Sequence, residues 1–311
     1  MDTTEFLKSL ELAIGVPTYQ PRFSSDDQLS LAYDEQKLRV VPLMLGVRQN
    51  YYLVMHRVPV SVGQKEVVFP ARTVGRAAKN VYWILDQEIG RVELIRYEES
   101  QINRWREEDK GTPSGFTLRN DSIRVWPAPD EAATAEFSIY CKPSKPVSTK
   151  RTATVRAVGI NTLTVSMVPQ NIVIGSVCDI TRNQPGYNLV YMDQTVSGIA
   201  GNVITLAGFD ALNPITGVSV GDSISLAGET SILQMIGEAS DVLVQATAVR
   251  ILYSLGVPDQ LKMAKELLDQ KEMNLREVVE PRIEDQPTIL FHGHPLLGAA
   301  IPIIPRVTVP Q

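Results

Sequence analysis

Apolar positions along the chain follow two periods. Between 26 and 52, Leu29, Ala32, Tyr33, Val40, Val47 and Tyr51 recur at helical spacing, and Leu31, Leu38, Val41 and Leu45 make a second face. This predicts a helix over 26–52 covered on two sides. Ser25 followed by Gln28 fits a capping box, Asp26 and Asp27 complement the helix N-terminus, and Pro42 should kink or split the helix. A shorter helix is expected over 4–14. Two more are predicted downstream: one over 238–255, stopped by Gly256 and Pro258, and one over 259–279, ending before Pro281. Leu261, Ala264, Leu268, Leu275 and Val278 give the last helix an apolar stripe, and Glu272 with Arg276 is a favourable pair on its other side.

Between these helices the period changes to two. Phe116–Arg119 and Ser122–Trp126 alternate around the turn pair Asn120-Asp121, which predicts a hairpin. Val81–Leu85, Val92–Tyr97 and Glu136–Lys142 are further strands, and Pro143–Thr149 has the composition of a linker. From 151 to 228 the chain is rich in Val, Ile, Thr and Gly and poor in charge, and it holds an internal repeat. Val155–Val165 is echoed by Val196–Leu206, and Val173–Ile180 by Val218–Leu226. Two strand–turn–strand–loop–strand halves are enough to close a small barrel or sandwich.

The expected fold class is therefore α+β, with a helical bundle made from N- and C-terminal helices and antiparallel β domains inserted between them. The boundaries expected are a helical part over 1–57, a β domain over 58–150, a barrel-like insert over 151–228, and C-terminal helices over 229–280. An extended arm follows over 281–311. Each amphipathic helix needs a partner for its stripe, which is why the two ends of the chain should pack together.

The arm has its own character. From Pro287 to Gln311 the only charged residue is Arg306, while Ile289, Leu290, Phe291, Leu296, Leu297, Ile301, Ile303, Ile304, Val307 and Val309 are bulky and apolar. Prolines 287, 295, 302, 305 and 310 exclude a continuous helix. Such a segment is too apolar for a disordered tail and should dock on something. Side-chain burial and backbone ordering oppose each other there, so main-chain pairing as an added strand on another subunit would tip the balance.

The 311 residues suffice for two or three cores; 21% are charged and 44% apolar, ordinary for a globular protein. A net charge of −5 argues against a strongly nucleic-acid-binding surface, which needs clustered Lys and Arg. Cys141 and Cys178 lie far apart among apolar neighbours, which suits free thiols in a reducing compartment. The first residues, Met-Asp-Thr-Thr-Glu, do not form a signal peptide, and no apolar run approaches the roughly 18 residues that span a bilayer. A soluble, non-secreted protein without a membrane partner is expected.

Chemistry-bearing patterns are sparse. The sequence has no Walker loop, no Gly-x-Gly-x-x-Gly and no Cys-x-x-Cys, and only three histidines, His56, His292 and His294. His292-Gly-His294 would place two imidazoles on one side of an extended segment, with Glu284 or Asp285 as a third metal ligand; the plainer reading is a turn. Glu98-Glu99 and Glu107-Glu108-Asp109 are acidic runs, normally solvated loops. Trp83, Trp105 and Trp126 would make a ligand platform or, more ordinarily, core packing. Lys142, Lys145, Lys150 and Arg151 form a modest basic patch. No cofactor, metal or catalytic residue is assigned.

The order of landmarks resembles the head-to-tail connector, or adaptor, proteins of tailed bacteriophages. The matching pieces are Val41-Pro-Leu-Met-Leu-Gly-Val-Arg-Gln-Asn-Tyr-Tyr52, Phe69-Pro-Ala-Arg-Thr-Val-Gly-Arg76 leading to Val81-Tyr-Trp83, and Gly115-Phe-Thr-Leu-Arg-Asn-Asp-Ser-Ile-Arg-Val-Trp-Pro127. Tyr140-Cys-Lys-Pro-Ser-Lys-Pro146, Gly221-Asp-Ser-Ile-Ser-Leu-Ala-Gly-Glu229 and Pro281-Arg-Ile-Glu284 complete the set. The resemblance spans most of the chain, through packing and turn patterns with no catalytic signature. It implies a non-enzymatic virion protein forming a homo-oligomeric ring of about twelve copies between the portal protein and a tail or nozzle protein. DNA would pass through the lumen without sequence-specific binding, and the C-terminal extension would grip neighbours. The 151–228 module is the least typical part.

Two other classes compete with that expectation. One is a tail or surface binding module that contacts a glycan or receptor through 151–228. The other is a hydrolase using carboxylates such as Glu107 and Asp109, for which the supporting machinery is missing.

Overall fold

A computed structural model describes residues 1–15, 23–47, 52–84, 90–98, 101, 109–184, 189–211 and 214–279. The fold is mixed α+β. Helix α1 (Thr3–Ile14) is opened by Asp2, whose carboxylate accepts from the Glu5 N–H at 2.7 Å, and it buries Phe6, Leu10 and Ile14 along one side. Gly15 closes it in the left-handed region, at φ 64°.

Helix α2 (Ser25–Glu35) starts one residue earlier than Ser25 and Gln28 suggest. Its capping box is Ser24 with Asp27: the Ser24 hydroxyl accepts from the Asp27 N–H at 3.2 Å, and the Asp27 carboxylate accepts from the Ser24 N–H at 2.9 Å. The Ser24 hydroxyl also donates to the Asp27 carboxylate at 2.6 Å, and this bond, with the one from the Ser24 N–H, holds the Asp27 carboxyl below its usual range. Asp27, at the third helical position, occupies the place that Gln28 would need.

The chain then continues through a π-helical segment (Gln36–Val40) into α3 (Val41–Val47). The α-helical run is interrupted just ahead of Pro42 by this π segment, from which the Val41 N–H reaches back five residues to the Gln36 carbonyl. Helix ends before the expected Tyr52, and the first strand starts at Leu53, inside the part expected to be helical. Leu38, assigned to a covered face, is 69% exposed.

Helices α4 (Gly237–Leu255) and α5 (Pro258–Val279) lie at the other end of the chain. Gly256, at φ 71°, terminates α4. Ile236 precedes α4 without a side-chain cap, and from Ala239 to Leu252 the helix is buried on nearly every side, as a central helix must be. Phe6, Leu10, Leu29, Val40, Met44, Leu243, Leu252, Leu268 and Leu275 belong to one core, so both ends of the chain pack together. The Gln245 side-chain amide donates to the Ala264 carbonyl at 3.0 Å, a buried tie between α4 and α5. Glu272 meets Arg39 of the π segment at 3.2 Å, whereas the sequence pattern paired it with Arg276. Val278, placed on the apolar stripe, is 60% exposed.

The first inserted part contains β1 (Leu53–Val60), β2 (Glu66–Val68), β3 (Thr73–Ile84), β4 (Arg91–Glu93), β5 (Ile95–Arg96), β6 (Gly115–Arg119), β7 (Ser122–Trp126) and β8 (Ala133–Cys141). They form one sheet in the order β1-β8-β3-β4 and another in the order β2-β7-β6-β5. Val67, Phe116, Ile123 and Val125 of one sheet share a core with Val81, Trp83, Phe137 and Ile139 of the other. The β6–β7 hairpin turns at Asn120-Asp121, as its turn residues predict.

Next come β9 (Lys145–Pro146), β10 (Ala153–Val158), β11 (Thr162–Val165), β12 (Val177–Thr181), β13 (Leu189–Ala200), β14 (Val203–Leu206), β15 (Ser223–Leu226) and β16 (Glu229–Thr230). Six of these close a barrel in the order β10-β11-β14-β13-β12-β15. The linker-like stretch around Pro143–Thr149 is not a free linker. Within it β9 pairs in parallel with β16, and Ser144 and Val147 are buried.

The barrel repeats itself in detail. Val155 pairs with Val165 and Val196 with Leu206, and each pairing is followed by a bulge at the same relative position. The Gly221 N–H donates to the Val155 carbonyl and the Gly175 N–H to the Val196 carbonyl; Val165 and Leu206 donate to the carbonyls of Asn202 and Asn161. Each bond has its counterpart under an exchange of halves, so the barrel has an internal two-fold. Leu163 pairs with Ile204 on one pseudo-axis and Asp179 with Ser225 on the other.

Candidate functional site: a polar joint

The candidate site lies where the barrel, the two-sheet part and the segment leading to α4 meet. Strand β12 runs Val177-Cys-Asp-Ile-Thr181, with a fully buried carboxylate in an otherwise apolar setting. The Asp179 carboxylate accepts from the Arg72 guanidinium at 2.5 Å, from the Gly228 N–H at 2.9 Å, and from the Asp193 N–H at 3.0 Å. Arg72 precedes β3, Gly228 precedes β16, and Asp193 lies on β13. Three donors, one of them charged, are what a buried carboxylate requires.

Arg72 extends the joint. Its second terminal nitrogen donates to the Ser144 hydroxyl at 2.8 Å, and the Ser144 N–H donates to the Gln234 side-chain oxygen at 2.6 Å. Gln234 is fully buried just before α4. The N-terminus joins the same region: Thr3 donates to the Ser231 carbonyl and Leu233 to that of Met1. One chain of polar contacts thus ties three separately cored parts.

Around the joint, charge states are shifted by burial. Asp193 adopts φ 58°, a left-handed conformation that aims its N–H at Asp179. Its own carboxyl is raised, first by burial and then by the Asp179 charge, against the pull of Arg72 and His56. Burial lowers the His56 imidazole, with Asp193 opposing. The neighbouring Cys178 thiol is pushed up to about 12 by burial and by Asp179, which leaves it unreactive at neutral pH. Both cysteines are free and buried.

The residues singled out by sequence scatter. Trp83 and Trp126 are buried in different surroundings, Trp83 in the two-sheet core and Trp126 with the Arg124 guanidinium 4.5 Å from its ring. Arg151 of the basic patch is tied to Glu229 at 2.6 Å, while Lys142, Lys145 and Lys150 are exposed. Glu98 is exposed, and the Asp109 carbonyl accepts from the Ala128 N–H. Glu99, Trp105, Glu107 and Glu108 lie outside the described residues, as do Glu284, Asp285, His292 and His294. So do all ten residues of the proposed arm, from Ile289 to Val309. Among the described residues no group of three or more His, Cys, Asp or Glu is placed to hold a metal ion, and no helix is long and apolar enough to cross a membrane.

Sequence reasoning missed Arg72, Asp179, Ser144 and Gln234. A signal for Asp179 was there: the internal repeat puts a neutral Ser225 opposite a charged residue inside an apolar strand. No protein-family model and no curated protein matches the chain.

Proposed function

We propose that the protein is a structural virion component, a head-to-tail adaptor that forms a ring between portal and tail and lets DNA pass through its lumen. In this reading the helices from both ends of the chain form the bundle of each subunit, and the barrel is an inserted domain. The observation that carries it is the polar joint. Three segments on which the resemblance rests, 69–76, 140–146 and 221–229, supply Arg72, Ser144 and Gly228 to that single node. The shared pattern is therefore a means of fastening domains to one another, as an assembly part requires. The net charge of −5 also suits a channel that must not retain DNA by counterion release.

Native mass spectrometry of the full chain, alone and mixed with a portal protein, tests this reading. One closed stoichiometry is expected. A protein that stays monomeric and binds neither portal nor tail components would overturn it. Truncation after Asp285 should leave a folded monomer that assembles poorly; loss of folding would instead assign the 286–311 segment to the subunit's own core.

A further inference from the structure

A cleft of about 600 Å³ runs between β1 and the first part of β13, lined by Met55, Arg57, Arg91, Glu136, Tyr191 and Met192 among others. Glu136 is buried on the outer face of its sheet and holds two arginines. Arg57 Nε lies 2.7 Å from one carboxylate oxygen and Arg91 Nε 3.0 Å from the other. The Arg91 guanidinium is also stacked 3.5 Å from the centre of the Tyr82 ring. Two cations on one carboxylate leave a positive charge in excess at the cleft. Of the other carboxylates, Glu93 accepts from Asn80, and Asp193 faces Arg72 at 3.9 Å and also acts on His56 of the cleft lining.

Both strands beside the cleft have an open edge among the described residues. β1 ends its sheet. On β13, Leu189 and Tyr191 pair with β12, whereas pairing with β14 covers only Val196–Ala200. The phase of β1 follows from one bond. The Cys141 N–H donates to the Tyr52 carbonyl, and the register continues without a bulge, so Val54, His56 and Val58 bond to β8. Leu53, Met55 and Arg57 then direct their N–H and C=O groups outward. Pro59 is in the same phase, so its missing N–H falls on the open edge and ends the pairable stretch.

We propose that this edge takes an added strand from a partner protein, an extended acidic segment whose Asp or Glu lies opposite Arg57. An apolar side chain two residues away would lie over Met55, since side chains directly opposite share a face of the sheet. The 287–311 stretch, whose one charge is Arg306, is not its complement. A monomer offers the same edge, so the inference stands apart from the ring.

Fluorescence anisotropy with the full chain and dye-labelled peptides tests it. The probe alternates Thr with Glu and Val (Thr-Glu-Thr-Val, repeated), and its counterpart carries Lys in place of Glu. The Glu probe should bind, the Lys probe should not, and N-methylation of the Glu and Val nitrogens should abolish binding. Arg57→Ala with Arg91→Ala, made together with Glu136→Gln so that no buried charge is stranded, should weaken binding by about tenfold or more. Circular dichroism checks that this variant is folded. Failure of the Glu probe to bind, equal affinity for the Lys probe, or unimpaired binding of the N-methylated probe would each overturn the proposal; the two peptide controls need no variant.

Discussion

In the first half of the barrel a buried aspartate, Asp179, occupies the position that Ser225 holds in the second half, and the two residues face each other across the β12–β15 ladder. The backbone plan around them is the same. Their tasks differ: the Ser225 hydroxyl donates locally to the Glu229 carbonyl at 2.6 Å, whereas Asp179 reaches out of the barrel to Arg72. The halves also differ in length. β10 has 6 residues and β13 has 12, and the surplus on β13 carries Asp193, which returns to Asp179. Departures from symmetry therefore coincide with the joint. A repeat sets what the barrel needs to close, and the deviations mark what it does for the rest of the chain.

The largest test of this contrast is Asp179→Ala, which strands the Arg72 guanidinium. It should cost about 3–5 kcal/mol in urea denaturation, against about 1 kcal/mol for Ser225→Ala. Equal costs would erase the distinction. Leu163→Ala and Ile204→Ala, a pair related by the pseudo-two-fold and both fully buried, should each cost about 2–5 kcal/mol and resemble each other closely. A large inequality would break the equivalence of the halves.

Gly175→Ala and Gly221→Ala come next. Both glycines have positive φ, 88° and 97°, with open space where a Cβ would go, so only backbone strain of about 1–2 kcal/mol is expected at each. The smallest effect is in pH. The folded-state Asp193 carboxyl is raised above its ordinary 3.8, so the native state binds this proton more tightly than the unfolded chain does. Its contribution to stability is greatest at low pH and declines as pH rises from 3.8 through the raised value. Asp193→Asn should remove that slope from a stability–pH curve. With a partly exposed side chain the change will be modest.

Much of the fold was legible because local signals agreed with one another. Gly256 with Pro258 marked the end of α4, Asn120-Asp121 marked the β6–β7 turn, and the echo of Val155–Val165 in Val196–Leu206 marked equivalent hairpins. Errors arose where a neighbour changed the local rule. Asp27 displaced Gln28 from the cap, and Arg39 took the place beside Glu272 that the spacing gave to Arg276. The joint was the least legible feature, because its partners come from distant segments: Arg72 from before β3, Ser144 from a stretch resembling a linker, and Gln234 from before α4. Arg72 and Ser144 fall inside segments that carry the resemblance, but nothing there marks them as partners, and only the mismatch of Asp179 with Ser225 hinted at the joint.

The proposed adaptor role requires the chain to work by assembling into a ring. Negative-stain electron microscopy of the wild-type protein mixed with portal protein tests that claim most directly. Closed rings stacked on the portal are the predicted result; isolated single subunits at every concentration, with bare portals beside them, would contradict it.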